Sequence, residues 1–145
     1  MSDDTLDAAY RSTHYRVRLP DGCTARIRLD APNPWMRAYL AAPDTTWAYL
    51  TACNPGSKVL PAPENKLRQR ALADRLIAAD YDFHAGMGEG CPPGAWPAEP
   101  SYWVIGIDRA ATEALASHCE QVAYLFGRSS GAATLCYTGA QDETA

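Results

Sequence analysis

The stretch Pro100-Ser101-Tyr102-Trp103-Val104-Ile105-Gly106-Ile107 decides how the rest of the chain is read. Apolar residues occupy both parities, so a strand here buries both of its faces. Such a strand belongs in the middle of a sheet, with other elements packed above and below. Asp108 comes next, a short acceptor before a run of helix formers, which predicts an N-cap and a helix over 109–120. QVAYLFGR (121–128) and AATLCYT (132–138) read as two further strands joined through Ser129-Ser130-Gly131.

Working back toward the N-terminus, HYRVRLP (14–20) and CTARIRL (23–29) alternate on either side of Asp21-Gly22, a hairpin signal. APNP (31–34) is a breaker, and 35–42 predicts a short helix with Pro34 in its first turn. TTWAYLTA (45–52) is another strand. ENKLRQRALADRLIAAD (64–80) is the clearest helix of the chain, and the prolines before it mark its start. Residues 81–84 suggest a short strand and 85–100 a long loop. Gly86, Gly88 and Gly90 invite a phosphate-loop reading, but no Lys-Ser/Thr follows them, and a flexible lid is the better expectation.

This order predicts an α+β fold, or a mixed α/β one, in a single domain over 1–145. It is a mixed, mainly antiparallel sheet with about three helices packed on it and an N-terminal β-hairpin. Residues 1–12 read as a frayed lead-in or a short helix, and 139–145 as a frayed tail. A chain of 145 residues with 47% hydrophobic and 21% charged residues suits one core.

Charge and composition narrow the function classes. The net charge is −4 and the pI about 5.3, which argues against sequence-independent DNA binding. Arg16, Arg18, Arg26 and Arg28 alternate along the two hairpin strands and read as a solvated sheet face. No window has the apolar length of a membrane span, and the acidic start lacks the apolar core of a secretory leader, so a cytoplasmic protein is expected. The five cysteines, Cys23, Cys53, Cys91, Cys119 and Cys136, form no CxxC pair. The three histidines, His14, His84 and His118, have no metal-ligand spacing. Neither a structural metal nor a cofactor is expected.

Several polar residues stand at element ends. Asn54 follows a strand directly. Asn-Pro-Gly is first of all a turn signature, so local evidence alone favours a turn residue. Asn65 falls with Gln69, Leu72 and Leu76 at i, i+4, i+7 and i+11, on the helix face turned to the sheet. Glu64 beside it is either a first-turn acid paired with Arg68 or a functional carboxylate. Glu99 lies between Pro97 and Pro100 on an extended, stiffened backbone, as a general acid or base requires; the plain alternative is a carboxylate bonded to loop amides. Ser101 shares its strand face, Trp96 stands three residues ahead of it, and Gln121 heads a strand. Cys53 reads as a buried apolar thiol rather than a nucleophile.

Taken together, Thr51-Ala52-x-Asn54-Pro55, Glu64-Asn65, a glycine, Trp96-x-x-Glu99-x-Ser101 and Gln121-x-Ala123 form a pattern. It resembles the bacterial family called domain of unknown function (DUF) 3293, over about Thr45 to Tyr124. The departure is Cys53, where the family leads one to expect an aromatic or bulky apolar residue. The resemblance implies no activity. It does couple these element ends into one expected polar cleft with an aromatic wall.

The expected function is a small enzyme acting on a small polar molecule, nucleoside- or sugar-like. Glu99 would be the general acid or base and Glu64 its partner. Asn54, Asn65, Ser101 and Gln121 would orient the ligand, and Trp96 would stack on it. Two other readings stand beside it: a binding module for a metabolite or partner, and an internal hydrogen-bond network that only fixes loops. Neither nucleic acid nor membrane is an expected partner.

Overall fold

The Asp21-Gly22 hairpin closes as the alternation predicts. In the computed structural model, which describes residues 3–42 and 44–139, β1 (His14–Arg18) pairs antiparallel with β2 (Thr24–Ile27). Tyr15 lies opposite Ile27 and Arg16 opposite Arg26. Tyr15, Val17 and Ile27 are buried on one face, while the arginines take the other.

Five more strands complete the sheet: β3 (Thr46–Leu50), β4 (Asp82–Glu89), β5 (Glu99–Ile105), β6 (Ala123–Arg128) and β7 (Thr134–Tyr137). Their order is β2-β1-β4-β5-β3-β6-β7, and each of these pairings is antiparallel. The doubly apolar β5 therefore stands in the centre. The fold is α+β, a single domain around one curled sheet. Past the end of β2, Leu29 bridges Ala133, just before β7, and Asp30 N donates to Ala133 O over 3.0 Å. The two sheet edges approach each other there, which bends the sheet into a half-barrel.

Each face of the sheet has its own core. Ala48, Leu50 and Val104 point to the convex side, where α3 (Ala62–Ala78) supplies Leu72 and Leu76 and α4 (Arg109–His118) supplies Ala116. Trp47, Tyr49, Trp103 and Leu125 point into the concave side with the hairpin residues and Met36 of α2 (Pro34–Leu40). Trp47 and Trp103 are wholly buried there. Asp108 caps α4 as predicted, its Oδ1 accepting from Ala111 N over 2.7 Å.

Three expectations are corrected. Residues 3–12 form a helix, α1, the second of the two readings given for that segment, and the described residues carry four helices where about three were expected. Residues 140–145 of the expected tail lie outside the described residues. Helix α3 begins at Ala62, two residues earlier than predicted, with proline in its first turn, where no N–H is needed.

The third correction concerns the glycine segment. It is no lid as far as Glu89, because β4 runs through Gly86 and Gly88, paired on both sides. These glycines are the strand's concave-facing positions. A Cβ on Gly86 would lie 2.3 Å from Arg16 O and 2.8 Å from the Tyr49 hydroxyl. At Gly86, neighbouring backbone and ring occupy the place of a side chain, whereas Gly88 has Thr13 Cγ2 nearest, at 3.6 Å, and leaves space above it.

Candidate functional site

A cavity of about 250 Å³ opens at one end of the concave face. Its position follows from the strands. Gly88 lies opposite Glu99 across the β4–β5 pair and places no side chain there, so space remains above it. Helix α1 lies over the opening and contributes Leu6, Ala9 and Tyr10 to the wall. It is held by Tyr15, whose hydroxyl donates to Tyr10 O over 2.6 Å, by a Tyr137–Asp7 hydrogen bond and by the Tyr10–Ser57 hydroxyl pair.

Glu99 is half-buried at the start of β5 and is the one acidic residue among the described residues that line this cavity. Its Oε2 accepts from Asn54 Nδ2 at 2.8 Å. Burial raises its carboxyl above the ordinary range, and the Asn54 hydrogen bond partly opposes that rise. Tyr10, Tyr15 and Tyr49 stand around it, and burial pushes all three phenols up, so they stay protonated. Trp96 closes the outer side, with its ring laid against Gly90.

Asn54 is the junction of this region. It is buried, in a left-handed conformation with φ 49°, which asparagine tolerates better than most residues. Its Oδ1 accepts from Leu60 N at 2.9 Å and from Asn65 Nδ2 at 2.7 Å, and its backbone N donates to Asn65 Oδ1 at 2.8 Å. Asn65 thus binds Asn54 twice from the first turns of α3, on the sheet-facing stripe that its spacing predicts.

A second layer lies beneath. Gln69 Oε1 accepts from Ala52 N at 2.9 Å, and Arg68 donates from Nε to Ala52 O and from Nη2 to Cys119 O, both at 2.7 Å. Gln121 Nε2 donates to Cys53 O at 2.9 Å. Cys53 is buried among these groups, and burial pushes its thiol up, which makes it a poor nucleophile.

The structure brings together Asn54, Trp96, Glu99, Ser101 and Gln121 on the wall, as expected. Asn65 is placed behind Asn54 rather than on the wall. Glu64 departs from expectation: it is exposed in the first turn of α3 and does not line the cavity. Its face is fixed by Asn65 and Gln69, which turn inward and leave position 64 outside. The expected Arg68 partner is engaged elsewhere, on the two carbonyls and on Glu120 at 3.8 Å.

Sequence reasoning missed Tyr10, Tyr15, Tyr49 and Gly88. The two strand tyrosines have the period-2 positions of core residues, and their one distinguishing signal is a hydroxyl that needs a partner when buried. The alternation of glycines at 86 and 88 was the signal for a strand face without side chains.

Residues 50–124 match the family model described as Protein of unknown function (DUF3293). The chain belongs to that family. The DUF3293 match runs from the last residue of β3 into β6, so Asn54, Asn65, Trp96, Glu99, Ser101 and Gln121 all fall within it. Helix α1, the hairpin and Tyr49 lie outside it. No curated protein and no solved structure matches the chain. No helix among the described residues is long and apolar enough to cross a membrane.

Proposed function

We propose that this DUF3293 protein is a small-molecule enzyme whose acid/base group is Glu99. The observation that carries the reading is the state of that carboxyl. One oxygen is tied to Asn54, Oε1 takes no protein donor among the described residues, and burial raises its proton affinity. A carboxyl shifted upward in a partly dry cavity is better suited than a solvated one to take up and return a proton. The rest of the wall is mostly aromatic and aliphatic, with Leu6, Val59, Leu125 and Leu135 beside the tyrosines. This favours a ligand with a ring to stack over a polyhydroxylated one. The volume suits a molecule at the small end of the usual range.

The exposure of Glu64 favours a second reading. With Glu99 as the single carboxyl on the wall among the described residues, a two-carboxylate mechanism has no second member among them, and binding without turnover uses the same geometry. Product analysis separates the two readings. Compounds that raise the melting temperature of the wild-type protein are incubated with it, and products are sought by mass spectrometry. Conversion that is lost in Glu99→Gln supports the enzyme. Binding without conversion supports the module. A screen with no hit in the cavity counts against both.

The setting we propose is a bacterial cytoplasm. Three of the five cysteines are buried, and no disulfide joins any of them among the described residues, which suits a reducing compartment. The partner we propose is a small molecule rather than a nucleic acid.

A further inference from the structure

Resting on the reading of the cavity as a ligand site, we infer that its ligand is an organic cation, a protonated amine carried on a small ring or short apolar body. The argument is a count of donors and acceptors. Six polar side chains on the wall give their protons to backbone carbonyls: Thr13 to Ala9, Tyr15 to Tyr10, Tyr49 to Arg16, Thr51 to Pro100, Ser101 to Glu99, and Gln121 to both Cys53 and Cys119. A hydroxyl that has donated its proton keeps its lone pairs, so those of Thr13, Tyr15, Tyr49 and Ser101 offer acceptors, whereas Thr51 Oγ1 already accepts from Cys53 N and the Tyr10–Ser57 pair keeps one proton to spare. Gln121, with its amide nitrogen engaged, is left with its carbonyl oxygen as its free group.

Charge points the same way. Among the described residues no Lys, Arg or His lines the cavity, and its one carboxyl is that of Glu99. An anionic ligand would find no countercharge on the wall and would face a carboxylate. A protonated amine brings up to three donors to an acceptor-rich interior and pairs its charge with the free edge of Glu99. Trp96, Tyr10, Tyr15 and Tyr49 add the ring faces on which a cation is held in recognition of organic ammonium groups. The chain's net charge of −4 favours the approach of a cation over long range.

The test uses three probes of one shape: benzylamine, benzyl alcohol and benzoate, titrated into the full chain and followed by calorimetry and by the amide resonances of cavity residues. At about pH 7.5 benzylamine is expected to bind about tenfold or more tighter than benzyl alcohol, with benzoate weakest. Glu99→Gln is expected to remove that preference and to keep the binding of the alcohol. An arm that needs no variant lowers the pH to about 4, within the ordinary carboxylate range. The amine stays charged while Glu99 takes up its proton, so the preference is expected to collapse in the wild-type protein. Equal affinity for the amine and the alcohol, tighter binding of benzoate, or a preference that survives at low pH would overturn the inference and leave the ligand-site reading standing. Failure of all three probes to bind or to move the cavity resonances overturns both.

Discussion

Asn54 donates its side-chain amide to Glu99 Oε2 across 2.8 Å while its own backbone is left-handed. The pair joins the end of β3 to the start of β5. These strands are hydrogen-bonded neighbours, so the sheet itself sets the separation that the amide spans. Asn65 fixes the other side of Asn54, and the helix that carries Asn65 is anchored by Leu72 and Leu76 in the convex core. The position of the carboxyl at the cavity therefore traces back to the packing of a helix on the opposite face of the sheet.

Replacing Asn54 separates its two roles. Asn54→Gly keeps the left-handed backbone at no steric cost but removes three side-chain hydrogen bonds, to Leu60, Asn65 and Glu99. With the buried partners left unpaired, the expected loss is about 2–4 kcal/mol in urea unfolding. Asn54→Ala loses the same bonds and adds the left-handed penalty, about 1–2 kcal/mol more. Equal stability of the two variants would mean that the turn relaxes out of its left-handed conformation.

Gly86 and Gly88 should respond in opposite ways to the same methyl group. At Gly86 the new Cβ meets a backbone oxygen at 2.3 Å, which cannot move without shifting β1, so Gly86→Ala is expected to cost about 3 kcal/mol. At Gly88 the nearest atom is Thr13 Cγ2 at 3.6 Å, so Gly88→Ala should stay within about 1 kcal/mol of wild type. Gly88→Val should also fold, while projecting into the cavity and weakening any ligand held there. Thermal melts of the alanine pair decide the point. A tolerated Gly86→Ala would contradict the β1–β4 register.

These contrasts show what the sequence reveals and what it hides. Periodicity alone exposes the central β5, the hairpin and the inward stripe of α3, because burial imposes a repeat of 2 or 3.6 residues on side chains that are present. The second half of β4 escapes that signal, since its pattern lies in side chains that are missing. The members of the Asn54 network stand out because polar residues at element ends are costly to bury without partners. Tyr15 and Tyr49 do not, because an inward tyrosine in a strand has the same sequence signature whether it fills a core or faces a cavity. Glu64 misleads for a related reason. Adjacency to Asn65 places it near the site in sequence, but one helical step of 100° turns it to solvent.

Glu64 and Arg68 should therefore differ sharply. Glu64→Ala removes an exposed first-turn acid, worth about 0.3–1 kcal/mol through the helix dipole, and should leave ligand binding unchanged. Arg68→Ala removes charged donors from the carbonyls of Ala52 and Cys119 and should cost about 2 kcal/mol or more. A variant at Glu64 that abolishes ligand binding while keeping its fold would return that residue to the site.

Glu99→Gln should stabilise the protein at neutral pH, and the sign follows from linkage. Burial raises the folded-state affinity of Glu99 for its proton, so above the ordinary value of 4.5 the folded state holds that proton when the unfolded state has released it. The unfolded state then binds fewer protons, and the contribution of Glu99 to stability falls as pH rises. The favourable part is fully present below 4.5 and is lost as pH climbs through the raised folded value. Above that value the wild-type protein carries a desolvated charge with a single hydrogen bond. Glutamine keeps an acceptor for Asn54 Nδ2 and carries no charge, so it avoids that cost. The difference between variant and wild type should accordingly be near zero at about pH 4, grow with pH and level off once the wild-type carboxyl is fully ionised. Urea unfolding of both proteins across this range isolates Glu99 from the other titrating groups, which cancel in the difference. A Glu99→Gln protein less stable than wild type at neutral pH would mean that the ionised carboxylate is held by more than Asn54. The cavity would then lack the free acceptor edge on which its proposed chemistry rests.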